Sequence, residues 1–366
     1  MKRTRLFNTT IIYLVILVLF VILRIIFASA TINLDETTQD IIFTCCSQIL
    51  IMLLFPLFSY KFAQKTTFKQ TLYDFNVRKT NFSVILISIL IGIVAFFLNI
   101  AFSSFFNGLI SLFGYEAVPT VPGVDPPVTF NMFLLNIVLI AIMPAICEEF
   151  THRGLLLNGL GSLGLKRAVI LSSVMFGLMH LNISQVFYAT ILGFMMAIAV
   201  IMSKSIFPAI IIHFINNFIN VYLEFAQDNG YFGHNFTQIV NNLLNGQGVF
   251  IGFVMCFIVL VCLALITLSL YFILLKQTRI KNLQKVFNDI AHIDTDANST
   301  KSDYLKNLAT LNAMLTQHNL NKPTNLVFTV QENTYNKPSA IENLLLFSIL
   351  LLGSIVTIFT FVWGFL

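Results

Sequence analysis

Two carboxylates stand side by side in Cys147-Glu148-Glu149-Phe150-Thr151-His152-Arg153-Gly154, directly after the apolar run from Met132 to Ile146. An ionised carboxylate near hydrocarbon is costly unless it is paired or hydrated, so a chain that keeps two has a use for at least one. Helical spacing gives them separate tasks. Glu149 and Arg153 are four apart and share a face, with the acid N-terminal, the favoured order for an ion pair. Glu148 points about 100° away and is free of Arg153. A carboxylate in that position can take a proton from water. The plainer alternative is a helix end that emerges into water with a solvated cluster of charges.

Three more polar residues lie in apolar runs: His180, at the end of Phe176-Gly177-Leu178-Met179-His180, and His213 and Asn217, in His213-Phe214-Ile215-Asn216-Asn217. His213 and Asn217 are four apart on one helix face. Each histidine alone reads as a packing residue or a polar contact between helices. Together with Glu148, the set is an acid, two imidazoles and an amide on three helices. That combination suits water activation: the carboxylate accepts the proton, and imidazole and amide donors hold the oxyanion formed when a carbonyl is attacked.

The elements that must carry these residues are membrane helices. Of 366 residues, 57% are hydrophobic and 10% charged, against about 45–50% and about 25% in soluble domains. Apolar runs cover 11–30, 41–60, 82–106, 131–147, 168–181, 185–202, 206–225, 249–275 and 343–366. At about 20 residues per crossing these are nine candidate spans, with 168–181 and 185–202 short, nearly abutting and suited to a tight hairpin or a re-entrant pair. The net charge of +5 follows from loop chemistry rather than from nucleic-acid affinity. Of 21 Lys and Arg, all but Arg24 inside the first run fall at 2–5, 61–79, 153–167, 204 and 276–337, in alternate loops. The positive-inside rule then predicts a multi-pass cell-membrane protein with a cytoplasmic N-terminus, and a site at the cytoplasmic end of the fourth run. Arg24 itself reads as a snorkelling or paired residue.

Four prolines, Pro119, Pro122, Pro126 and Pro127, prevent a regular helix throughout the loop at 107–130. The only long polar piece, 276–341, has apolar residues at helical spacing at Ile280, Leu283, Phe287 and Ile290 and again at Leu305, Leu308, Leu311 and Leu315, which predicts two amphipathic helices on the cytoplasmic surface. The domain reading is a transmembrane domain over 1–275 with its core at about 82–225, the amphipathic segment at 276–341 and a final membrane helix at 342–366. The five cysteines form no C-x-x-C pair and indicate neither a zinc ribbon nor a disulfide framework.

Glu148-Glu149-xxx-Arg153, Phe176-xxx-His180 and His213-xxx-Asn217 resemble, in order and type, the three motifs of the CPBP intramembrane proteases. That family includes type II CAAX prenyl endopeptidases and bacteriocin-processing or self-immunity proteins. The resemblance covers about residues 82–225. It implies an all-α, polytopic membrane protein with an eight-helix protease core, to which this chain adds a C-terminal transmembrane helix. It also implies that Glu148 is the general base on water, that Glu149 and Arg153 are a supporting pair, that His180 orients water or base, and that His213 with Asn217 stabilises the oxyanion. Gly154 fits the pattern, whereas His152 stands where the family often has an aromatic residue.

Two histidines and a carboxylate also suit zinc. No H-E-x-x-H occurs, so a metal-free, glutamate-activated water is the expected chemistry, with no cofactor. The expected partners are the lipid bilayer and a membrane-associated peptide or protein substrate, with no nucleic acid. Two other readings are a non-catalytic immunity or scaffold protein and a small-solute transporter. The absence of evident repeat halves in the sequence argues against the transporter.

Overall fold

The computed structural model describes residues 5–29, 35–111, 128–236, 238–240, 248–293 and 337–363. Among them every regular element is helical: α1 (Arg5–Ser29), α2 (Thr37–Gln64), α3 (Phe68–Asp74), α4 (Phe82–Ser111), α5 (Phe130–Leu163), α6 (Leu165–Met179), α7 (Ile183–Ser203), α8 (Phe207–Asn229), α9 (Gly248–Ile293) and α10 (Ala340–Trp363). All but α3 and α6 contain a stretch long and apolar enough to cross a membrane, eight in all among the described residues. The protein is a multi-pass, all-helical membrane protein.

The ninth expected span is corrected by length. Helix α6 has 15 residues, a rise of about 22 Å against about 30 Å of hydrocarbon. Its hairpin with α7 is as the abutting runs suggest. Only His180, Leu181 and Asn182 join the two, with Leu181 in the left-handed region and the Asn182 side chain capping α7 at Ser184 N–H. Gly177 lets the pair close up, because a Cβ there would stand 2.5 Å from the Val186 carbonyl. The turn leaves His180 at the tip of α6. The amphipathic stretch at 280–290 continues α9, whereas the one at 305–315 and most of the proline-bearing loop, 112–127, lie outside the described residues.

The two acids are not at the end of their helix. Helix α5 continues past them to Leu163. Glu149, His152 and Arg153 are 0–1% exposed, so a solvated charge cluster is excluded for this turn. Large apolar side chains take the outer surface instead. Phe82, Leu265 and Phe359 are well over half exposed, as suits a protein whose surroundings are hydrocarbon.

Helices α2 and α5 depart from regular α geometry in the same way. Each contains a widened, π-helical stretch just before a proline: Cys45–Leu54 before Pro56, and Ile137–Ile142 before Pro144. Proline has no N–H, so the carbonyl four residues upstream loses its α-helical donor. Those carbonyls belong to Met52 and Ile140, and both find a donor on another helix. The Thr151 hydroxyl donates to Met52 O, and Asn217 Nδ2 donates to Ile140 O at 3.0 Å. The first contact clasps α2 to α5 and the second clasps α5 to α8. A second widened stretch, Phe150–Leu156, begins immediately after Glu149. Such bulges concentrate at functional sites because they re-aim side chains within an otherwise straight helix.

Candidate functional site

The segment Met143–Glu149 is held between the two widened turns of α5 and presents its carboxylates to different neighbours. Glu149 points into the bundle. Its Oε1 accepts from Arg153 Nη1 at 3.0 Å and from His213 Nδ1 at 3.1 Å. The intended i,i+4 pair is therefore made, and His213 joins it from α8. Arg153 also donates from Nη2 to the Gly193 carbonyl at 3.0 Å, and its guanidinium lies 4.4 Å from the centre of the Phe176 ring. Gly193 permits this approach of α7, since a Cβ there would stand 3.1 Å from Phe176 Cδ1 and 3.3 Å from Arg153 Nη2. Gly154 has a comparable reason: a Cβ would fall 2.6 Å from the buried Phe75 ring.

Glu148 points elsewhere, as the 100° rotation requires. It is partly exposed and forms no ion pair among the described residues. Its Oε1 accepts one hydrogen bond, at 3.0 Å, from the neutral side-chain amide of Gln48 on α2. Arg24 of α1 carries its guanidinium over the Phe20 ring at 5.3 Å and lies within electrostatic reach of both Glu148 and His180.

Phe176 is the common floor of the site. The rings of His152, His180 and His213 meet it edge-on, with centroids 4.9, 5.1 and 5.7 Å away. The three imidazoles are close enough to influence one another's charge. Their Nδ1 atoms are committed to separate acceptors: His180 to the Phe176 carbonyl at 3.0 Å, His152 to the Glu148 carbonyl at 2.8 Å, and His213 to Glu149. A carbonyl oxygen only accepts, so Nδ1 of His152 and His180 carries the proton, and Nε2 of each neutral ring is an acceptor. The same geometry makes His213 a donor at Nε2 only in its imidazolium form.

His152 is the departure from the aromatic residue expected before Arg153. It keeps the aromatic packing, edge-on to both Tyr13 and Phe176, and adds polarity. Its Nε2 lies 3.1 Å from the Tyr13 hydroxyl, which is also 3.0 Å from the Met175 carbonyl. Asn217 is tied on two sides: it donates to Ile140 O and accepts from Asn216 Nδ2 at 3.1 Å. One of its two amide hydrogens stays available.

Helices α5, α6 and α8 thus bring Glu149, Arg153, His213 and Phe176 into direct contact. His180 sits on the same ring, and Glu148 is on the adjoining face. Sequence reasoning missed Gln48, Tyr13, Asn216 and the Gly193 carbonyl. Gln48 had a signal, being an uncharged polar residue inside the apolar run 41–60 and eight residues before a proline. Among the described residues, no three His, Cys, Asp or Glu side chains come together as ligands for a metal ion.

Fold and site together define a multi-pass helical membrane protein with a buried acid–arginine–imidazole cluster beside a more accessible carboxylate. A family model described as Type II CAAX prenyl endopeptidase Rce1-like matches residues 130–219. That is a protease family, and the match agrees with the resemblance to the CPBP proteases. The matched stretch holds all three motifs, from Glu148 to Asn217, whereas α1 and α2, which contribute Tyr13 and Gln48, lie outside it. No curated protein and no solved structure matches the chain.

Proposed function

We propose that this chain is an intramembrane endopeptidase that hydrolyses a peptide bond of a membrane-associated peptide or protein by glutamate-activated water. One observation carries the reading: of two adjacent carboxylates, Glu149 is sealed by an arginine and a histidine, whereas Glu148 is held by a neutral amide and left partly exposed, within electrostatic reach of His180. The Rce1-like match over 130–219 supports it.

Glu148 takes a proton from water as the water oxygen attacks the carbonyl carbon. The carbonyl π electrons move to oxygen. The remaining amide hydrogen of Asn217 is the donor available to that oxyanion, and His213, seated against Glu149, lends Nε2–H whenever both its ring nitrogens carry hydrogen. Nε2 of neutral His180 is an acceptor and orients the water. Glu148 then delivers its proton to the departing amine nitrogen as the C–N bond breaks. The Glu149–Arg153 pair fixes α5 against α7 and α8 and touches no reacting atom. No metal takes part in this step, so chelation should leave cleavage intact. The Lys and Arg at 2–5, 61–79 and 153–167, around the first four spans, support a cytoplasmic N-terminus and a site reached from the cytosolic side.

The test compares the membrane peptides of cells carrying the wild-type chain with those carrying Glu148→Gln. The substitution preserves shape and removes the base. Loss of a defined set of cleavage products is the expected result. An unchanged peptide profile, with any phenotype retained, would instead favour the non-catalytic immunity or scaffold reading.

A further inference from the structure

The partner of Glu148 lies outside the three motifs. Gln48 is 8% exposed, and its Nε2 donates to Glu148 Oε1 at 3.0 Å. Its own carbonyl oxygen, Oε1, is buried without a hydrogen-bond partner among the described residues. An ionised carboxylate only accepts, so it draws the amide nitrogen toward itself and leaves the amide oxygen one amide width away. The result is an unmatched acceptor on the same amide that holds the carboxylate. A single water, with two hydrogens and bonds of about 2.8 Å, spans such a pair. Buried acceptors are rarely left unmatched, so the Gln48 oxygen beside the Glu148 carboxylate points to a shared water.

The backbone holds Gln48 in this place. It sits in the widened stretch Cys45–Leu54, and the carbonyl freed by Pro56, four residues on at Met52, is clamped by the Thr151 hydroxyl. Thr151 is three residues from Glu148 on α5. The clasp between α2 and α5 therefore fixes Gln48 against Glu148.

We propose that Gln48 is a positioning residue for the hydrolytic water. Its Nε2 holds the carboxylate, and its Oε1 takes one hydrogen of the water whose other hydrogen passes to Glu148. The oxygen lone pair is thereby turned to the scissile carbonyl, and the hydrogen held by Gln48 stays on oxygen through the attack. This rests on the reading of Glu148 as the base.

The experiment uses the full chain, purified and reconstituted in liposomes, as wild type, Glu148→Gln and Gln48→Leu. Infrared difference spectra locate the Glu148 carboxylate stretch as the band that Glu148→Gln removes. In Gln48→Leu that band should move, because its hydrogen-bond donor is gone. The membrane peptides that depend on Glu148 in cells should fall about 10–100-fold, the scale of a hydrogen bond to a charged group. Thermal stability should be retained, since leucine suits an apolar span; if Gln48→Leu does not fold, Gln48→Met takes its place. An unmoved band, or undiminished products in a folded Gln48 variant, overturns the assignment. A band that moves while Glu148→Gln leaves every membrane peptide unchanged overturns the base reading itself, and with it any part for Gln48 in water activation.

Discussion

Glu148 and Glu149 are the same side chain one peptide bond apart, and the helix turns them into two different physical objects. Glu149 is fully buried, with Arg153 and His213 on its Oε1, the Gly193 carbonyl beyond Arg153, and no hydrogen-bond partner for its Oε2 among the described residues. Glu148 has one neutral donor and partial exposure. A sealed ion pair contributes rigidity, and removing one of its members strands the other in a low-dielectric interior. A carboxylate with few partners is free to exchange a proton. The difference follows from 100° of helix rotation and from which neighbouring helix each carboxylate meets.

The comparison breaks most sharply at the open side. Glu148→Gln should lower peptide hydrolysis by about 10²–10⁴-fold, the range of a general base, yet change unfolding stability in detergent by no more than about 0.5 kcal/mol. A large stability loss there would mean that the two acids share one structural task. On the sealed side the pattern reverses. Arg153→Met should cost about 3–5 kcal/mol in thermal or denaturant unfolding, because Glu149 is left charged and unpaired. Adding Glu149→Leu to Arg153→Met should recover much of that loss. If the double variant is no better than the single, the ion pair is not what the site's stability depends on.

Smaller effects sharpen the same contrast. Gly193→Ala puts a methyl 3.1 Å from Phe176 Cδ1 and 3.3 Å from Arg153 Nη2. It should cost about 1–3 kcal/mol by overpacking, measured by unfolding, and it should lower activity through the shifted guanidinium. Thr151→Val keeps the side-chain volume and removes the donor to Met52 O. It should cost about 1 kcal/mol. Its loss of activity should exceed what that destabilisation explains, because the clasp that holds Gln48 is released. A Thr151→Val protein with wild-type turnover would show that α2 keeps its register without the clasp.

Much of the site was legible because short-range helical geometry carries it. The pairing of Glu149 with Arg153, the divergence of Glu148 and the shared face of His213 and Asn217 need only 3.6 residues per turn, and each is present in the structure. The α6–α7 hairpin was visible in two abutting apolar runs. The count of spans was one too many because hydropathy reports apolar character but not length, and α6 is only 15 residues long. The length of α5 beyond the acids was hidden for a related reason. The apolar run ends at Ile146, but the helix does not: polar residues from Glu148 to Arg153 stay within it by facing other helices. Asn217 shows the limit most clearly. Its spacing from His213 gave a shared helix face and the family resemblance implied a donor to an oxyanion, but neither could show that one of its hydrogens serves the Ile140 carbonyl that Pro144 frees.

Composition and periodicity by themselves determined a polytopic helical membrane protein with one uncommon cluster of charge, because the solvent forbids most alternatives and helical spacing is local. Which helix faces which was decided only by tertiary structure. Gln48 reaches Glu148 across 100 residues of chain, and Tyr13 reaches His152 across 139. No periodicity encodes such contacts. They arise because two prolines widen two helices and threonine and asparagine side chains from neighbouring helices satisfy the carbonyls left behind, a match that exists only once the helices have packed.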